Sequence, residues 1–171
     1  MTGMTLEQIA SLAEIIGAFT IVSGLLFGWF QIRVYRTQQR DRIATNLMQT
    51  FYNPELARAV SLLHELPDGI SARDLSEMGQ EYVDAAVIVS TTFETMGLLV
   101  YKRIAKFDLV MELAGGIIAS MHRKLSVWLE DIRNEQKQPS WAEWFEWIAQ
   151  MADRHKSEME PAHKRVAGWK P

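Results

Sequence analysis

Residues 9–32 read IASLAEIIGAFTIVSGLLFGWFQI, and the interpretation of every other segment follows from this one. A helix of that length rises about 36 Å, against about 30 Å for the hydrocarbon core of a bilayer, so it is long enough to span with some tilt. Its only charge is Glu14, close to one end, where a carboxylate reaches the headgroup region. Trp29 and Phe30 stand at the other end, where aromatic rings settle at the interface. Arg33, Arg36, Arg40 and Arg42 follow directly and form a basic collar suited to an anionic membrane surface. A secretory signal would begin with a basic region and carry a shorter apolar run ending at a small-residue cleavage site. No Lys or Arg precedes Arg33 and no such site follows, so the pattern predicts a retained single-pass anchor. The positive-inside bias then predicts a short N-terminus (1–8) outside, a transmembrane helix (9–32), and everything from residue 33 on the cytoplasmic side of a cell's inner membrane.

Within the span, Gly17, Gly24 and Gly28 fall on one helical face. Gly24 and Gly28 form a G-x-x-x-G pair, a spacing that lets two helix backbones approach closely in lipid. The face therefore offers a route to homo-oligomers, the alternative being glycine that simply faces lipid. Membrane lipids are the first partner the sequence implies.

The chain has 171 residues and no cysteine, which leaves room for one soluble domain and none for disulfides or Cys-based metal and redox chemistry. The net charge of −3 argues against nucleic acid, whose recognition needs a basic surface. Four Arg lie before Ile43; the rest of the chain carries 14 Lys+Arg against 18 Asp+Glu. The soluble part is acidic, and the collar is basic.

No Pro or Gly interrupts residues 29–52, so the anchor is predicted to continue as a basic juxtamembrane helix (33–52), with Ile43, Leu47 and Phe51 on one stripe. Thr5 is a candidate cap at its start. Asn53-Pro54 reads as an N-cap followed by a first helical position, opening a helix to Leu66 with Leu56, Val60 and Leu63 inward. Leu66-Pro67-Asp68-Gly69 is a turn. Residues 73–104 read as one central helix, with apolar or small residues at 75, 78, 82, 86, 89, 93, 96, 100 and 104 and a second stripe of Val83, Val87, Leu98 and Tyr101. From Ala85 to Tyr101 its only charge is Glu94. Such a helix is the buried centre of a bundle or a second span, and the bundle is preferred because a mid-membrane carboxylate costs about 2.5–3.5 kcal/mol.

A further helix is expected over 108–134, capped by Asp108, with Val110, Leu113, Ile117, Met121, Trp128 and Ile132 inward and Gly115-Gly116 where another helix crosses. Residues 136–139 form a loop. Ser140-Trp141-Ala142-Glu143 matches the S-x-x-E capping box ahead of Trp144, Phe145, Ile148 and Met151. The charged tail from His155 carries little order of its own, with Trp169 as its one docking residue. The expected fold class is all-α: a transmembrane helix continuing into a cytoplasmic bundle of about four helices (53–157), then a flexible tail (158–171).

Little in the chain suggests catalysis. His64, His122, His155 and His163 lack metal-site spacing, there is no phosphate loop after a strand, and G-x-S-x-G is absent. The E-x-x-H motif of di-metal bundles is missing at Glu94, Glu112 and Glu146. No enzyme activity, metal or cofactor is expected. Glu94 is either a buried acid held by Arg123, Arg133 or a backbone or Trp N–H, or a neutral carboxyl serving a ligand. The tryptophan-rich segment after Ser140 packs the core by default, or lines a pocket or a partner groove; lying on the bilayer surface is disfavoured because its polar face (Glu143, Glu146, Gln150, Asp153) is acidic. Glu94, Trp128, Trp144 and Glu146 are thus the candidate polar or ligand site.

Several of these groups occur together: the span with its basic exit, Asn53-Pro54-Glu55-Leu56, Phe93-Glu94-x-Met96-Gly97-Leu98-Leu99-Val100, Trp128, and Trp141 with Phe145-Glu146-Trp147. The combination resembles a family of small prokaryotic membrane-anchored proteins classed as a domain of unknown function. The resemblance implies a one-span anchor and a cytosolic helical bundle, and brings no activity or site residue. The functional expectation is a membrane-anchored, non-catalytic scaffold or regulatory subunit for an unidentified protein partner. The alternative is a sensor with an apolar pocket around Glu94 and the C-terminal tryptophans.

Overall fold

A computed structural model describes the backbone of residues 6–51 and 53–170, and the side chains of residues 14–35, 49–50 and 53–170. The expectations for Thr5 and for the stripe of Ile43, Leu47 and Phe51 lie outside those described residues, as do the side chains of Arg36, Arg40 and Arg42. Every regular element is helical among the described residues: α1 (Leu6–Phe51), α2 (Pro54–His64), α3 (Ala72–Met78), α4 (Gln80–Tyr101), α5 (Phe107–Gln136), α6 (Glu143–Glu158) and α7 (Ala162–Arg165). The chain divides into two compact units, with the boundary between Arg42 and Ile43.

In the first unit, Glu14–Tyr35 is long and apolar enough to cross a membrane, and none of it is buried. Phe19 and Leu25 are 74 % and 70 % exposed. The Arg33 guanidinium lies over the Trp29 ring, 5.7 Å from its centre.

The second unit is a helical bundle. Asn53 caps α2 by accepting the Glu55 N–H at 2.9 Å, with Pro54 in the first turn, where its missing N–H costs nothing. α4 packs between α2 and α6, α5 completes the bundle against α6 and α2, and the short α3 bridges α4 and α5. The core includes Leu63, Val89, Phe93, Ile118, Leu125, Trp128 and Phe145. α4 also passes a length-and-composition test for a span, but Ala86, Val89, Phe93, Met96 and Val100 bury one face of it in this core.

Four local expectations are corrected. The single helix expected over 73–104 is two, α3 and α4, separated at Gly79, whose φ of 128° is a conformation L side chains rarely adopt, and α4 ends at Tyr101. α3 starts from a reciprocal cap in which Ser71 Oγ accepts the Asp74 N–H and donates to Asp74 Oδ2. Met78, beside the break, and Ile104, past the end of α4, face outward, at 46 % and 51 % exposed. On α5, Leu113 and Ile117 also face out, at 39 % and 36 %, because α6 docks on the Met111, Ala114, Gly115 and Ile118 side. Asp108 is not the cap of α5; it sits in the first turn, where its charge still suits the helix dipole. The tail is less bare than expected, since α6 continues to Glu158 and α7 follows, with Arg165 paired to Glu112 at 3.3 Å. Trp169 does not dock: it is 74 % exposed.

Lys124, unremarked in the sequence, ties the turn after α2 to the bundle. Its buried ammonium donates to the Leu66 carbonyl and pairs with Asp68 at 3.5 Å. The Gly69 and Ile70 N–H groups donate to the Arg123 and Lys124 carbonyls at 2.9 and 3.0 Å.

Two glycines mark where α6 crosses its neighbours, and they differ in tolerance. A Cβ on Gly97 would run into the backbone carbonyl of Trp144, whereas one on Gly116 would meet only the movable tip of Lys156. Gly97→Ala should therefore destabilise the domain by about 1–3 kcal/mol through overpacking, despite its better helix propensity. Gly116→Ala should be neutral or stabilising. Thermal melts of the two full-length variants, followed by circular dichroism in detergent, separate these outcomes.

Candidate functional site

The first turn of any α-helix carries N–H groups with no intrahelical acceptor. At α6 the local sequence does not supply one. The Ser140…Glu143 capping box does not form, because Ala142 precedes the helix in a left-handed conformation (φ 56°) and no side chain caps from that position. The acceptor comes from another helix instead. Glu94 of α4 reaches across, and its Oε2 accepts the Phe145 N–H at 2.8 Å. A carboxylate at that position also meets the positive end of the α6 dipole.

Arg133 of α5 closes the same terminus from the carbonyl side. Its Nε donates to the Trp141 carbonyl at 2.8 Å, Nη2 to the Ala142 carbonyl at 3.2 Å and Nη1 to Glu146 Oε2 at 2.8 Å. A planar guanidinium fork suits three acceptors at fixed angles better than an ammonium would. Glu94 is held by the Phe145 backbone N–H, one of the partners expected for it. Neither arginine offered for that role holds it, since Arg123 pairs with Asp153 at 3.0 Å.

Partial burial pushes the Glu94 carboxyl above its usual range. The backbone N–H groups of Phe145 and Trp144 oppose that shift, Glu143 adds to it, and Arg133 opposes it. His122, half-buried with its ring edge-on to Phe145 (5.5 Å, 89°), is displaced the other way. Burial lowers its value, partly offset by Glu146 and Asp153 and reinforced by Arg133 and Arg123.

The four nominated residues do not share one pocket. Glu94 and Glu146 meet at the α6 terminus. Trp128 is 2 % exposed and packs edge-on against Trp141 at 5.5 Å. Trp144 turns to Tyr101, 4.4 Å away, with Trp147 as the third ring. A cleft of about 250 Å³ beside Glu94 is lined by Ser90, Thr91, Gln138, Ser140, Trp141 and Ala142, and by none of Trp128, Trp144 or Glu146. Ser90 was missed in the sequence, where it looks like any small residue on an apolar face. Its Oγ is buried and, among the described residues, has no hydrogen-bond partner. Among those residues, no three His, Asp or Glu side chains come together as a metal site.

On α1, a Cβ at Gly17, Gly24 or Gly28 would meet nothing within 4 Å among the described residues.

The fold and this terminus define an all-helical domain following an apolar N-terminal helix. Residues 18–152 match the family model of DUF4760, a domain of unknown function, and the chain belongs to that family. No curated protein and no solved structure matches it.

Three outcomes test the site. Glu94→Ala, which orphans the α6 N–H groups, should cost about 1–2 kcal/mol, and Glu94→Gln, which keeps an acceptor oxygen, should cost less; urea denaturation measures both. Ser90→Ala should stabilise by about 1 kcal/mol, because it removes an unsatisfied buried hydroxyl. For His122 the folded-state value lies below the unfolded one, so its contribution is complete above pH of about 6.5 and is lost as the pH falls through the folded value. The melting temperature should drop on that acid limb, and His122→Gln should flatten it.

Proposed function

We propose that this protein is a membrane-anchored, non-catalytic scaffold or regulatory subunit. In this reading Glu14–Tyr35 crosses the membrane, with residues 1–8 outside and the bundle in the cytoplasm. The observation that carries the proposal is the unburied apolar surface of α1. Side chains such as Phe19, Leu25, Phe27 and Trp29 are each more than 60 % exposed among the described residues. A soluble monomer rarely leaves so large a contiguous apolar surface in water, whereas a bilayer covers it along its whole length. The polar residues that looked most like a site also fit this role. Glu94 and Arg133 hold a helix terminus, an architectural task that builds a firm docking domain.

The open Gly17, Gly24, Gly28 face would let the anchor pair with a second copy, and a protein partner of the bundle completes the scaffold. A second reading, a ligand-sensing module, rests on the unpartnered Ser90 hydroxyl beside the 250 Å³ cleft. It would use Glu94 and Trp141 but not Trp128, Trp144 or Trp147.

The anchor is tested by extracting cell membranes with alkaline carbonate and treating intact cells with protease. Retention in the pellet together with protection of the C-terminal part is expected. Release into the supernatant would remove the anchor, and digestion of the C-terminal part would reverse the topology. Crosslinking in membranes should trap a specific partner or a second copy. A monomer with no specific crosslink would remove the scaffold role.

A further inference from the structure

The α4–α5 loop and its surroundings do not behave like an ordinary connection. Residues 101–107 read YKRIAKF, three cations and no acid in a soluble part that is otherwise acidic. Lys102, Arg103 and Lys106 are all exposed, and none has an acidic partner among the described residues. The loop is built rather than loose. The Arg103 N–H donates to the Val100 carbonyl at 2.9 Å, and the Ile104 and Ala105 N–H groups both donate to Leu99 at 3.0 and 3.1 Å.

Within that frame the small Ala105 points in, at 3 % exposed, and the large Ile104 points out, at 51 %. Tyr101, 53 % exposed, stands next to it and packs on Trp144 and Trp147, whose own rings are 6.0 Å apart. Leu98 adds an apolar edge at 38 % exposed. A polar residue at 104 would fit the same backbone without placing an aliphatic side chain in water.

We propose that this face is a second lipid contact. Tyr101, Ile104, Trp144 and Trp147 enter the interfacial layer while Lys102, Arg103 and Lys106 bind the phosphates of anionic lipids. Trp and Tyr prefer the headgroup level, and cations beside an apolar surface are the composition that an anionic leaflet attracts. The proposal rests on the membrane anchoring of α1 argued above. The bundle would then be held on the bilayer at two places, the helix and the loop.

The absence of cysteine makes the test clean. Full-length protein carrying Ile104→Cys, labelled with an environment-sensitive fluorophore, is reconstituted in phosphatidylcholine vesicles with or without phosphatidylglycerol and with a quencher on the acyl chains. Leu25→Cys, labelled the same way, reports the anchor. The label at 104 should be quenched in anionic vesicles and much less in neutral ones. Neutralising each of Lys102, Arg103 and Lys106 with Gln should lower the docked-to-free ratio about five-fold. Quenching at 25 but not at 104 overturns the lipid contact and leaves the anchor standing. Quenching at neither position overturns both. A blue-shifted label at 104 that lipid quenchers do not reach, or quenching indifferent to lipid charge and to the Gln variants, also overturns it, the former pointing to a contact between copies of the chain.

Discussion

The bundle depends on one hydrogen-bonded junction between helices far apart in sequence. α6 arrives after a left-handed residue and has no cap of its own, so its first N–H groups would be left without acceptors at a half-buried site. Glu94 supplies the acceptor from α4, Arg133 neutralises the carbonyls that precede the helix, and Gly97 clears the space that lets the two backbones meet. The packing of Phe145 on Phe93, 5.4 Å between rings, follows from that placement. So does the burial of Ile148, Ala149 and Ala152 along the rest of α6. A charged residue on an apolar helix would otherwise be a defect. Here it is the reason the last large helix can dock.

Much of this architecture was legible in the residue pattern, and what was not legible has identifiable causes. The start of α2 could be read because Asn53 and Pro54 act locally, through their own side chain and ring. The start of α6 could not. Ser140 and Glu143 have the spacing of a capping box, but the helix is capped from 51 residues away, and local spacing carries no trace of such a partner. The break at Gly79 was hidden for a similar reason, since apolar residues continue in steps of three and four across it while the backbone turns. On α5 the apolar residues are spread widely enough to allow more than one inward face. The position of α6, marked by Gly115 and Ala152, selects the face that leaves Leu113 and Ile117 outside.

The candidate site shows the same division. Glu94 stood out because a lone charge on an apolar helix must be accounted for, and a backbone N–H was among its expected partners. Its arginine partners were misassigned because Arg123 and Arg133 lie on the same helix and only the fold shows that both reach α6. Ser90 and Lys124 gave no signal. One is a small residue in an apolar run and the other one lysine among many, and burial alone gives them significance. Belonging to DUF4760 fits a chain in which architecture is plainer than chemistry: the match begins inside the apolar stretch of α1 and ends within α6, covering the second half of that stretch and nearly all of the bundle.

Amide hydrogen exchange resolved at Phe145 addresses the junction most directly. First-turn amides of a helix normally exchange quickly, because water is their only acceptor. If Glu94 holds this terminus, the Phe145 amide exchanges as slowly as the amides of the α4 interior in the full-length protein. Exchange at the rate of an uncapped helix end would contradict the account.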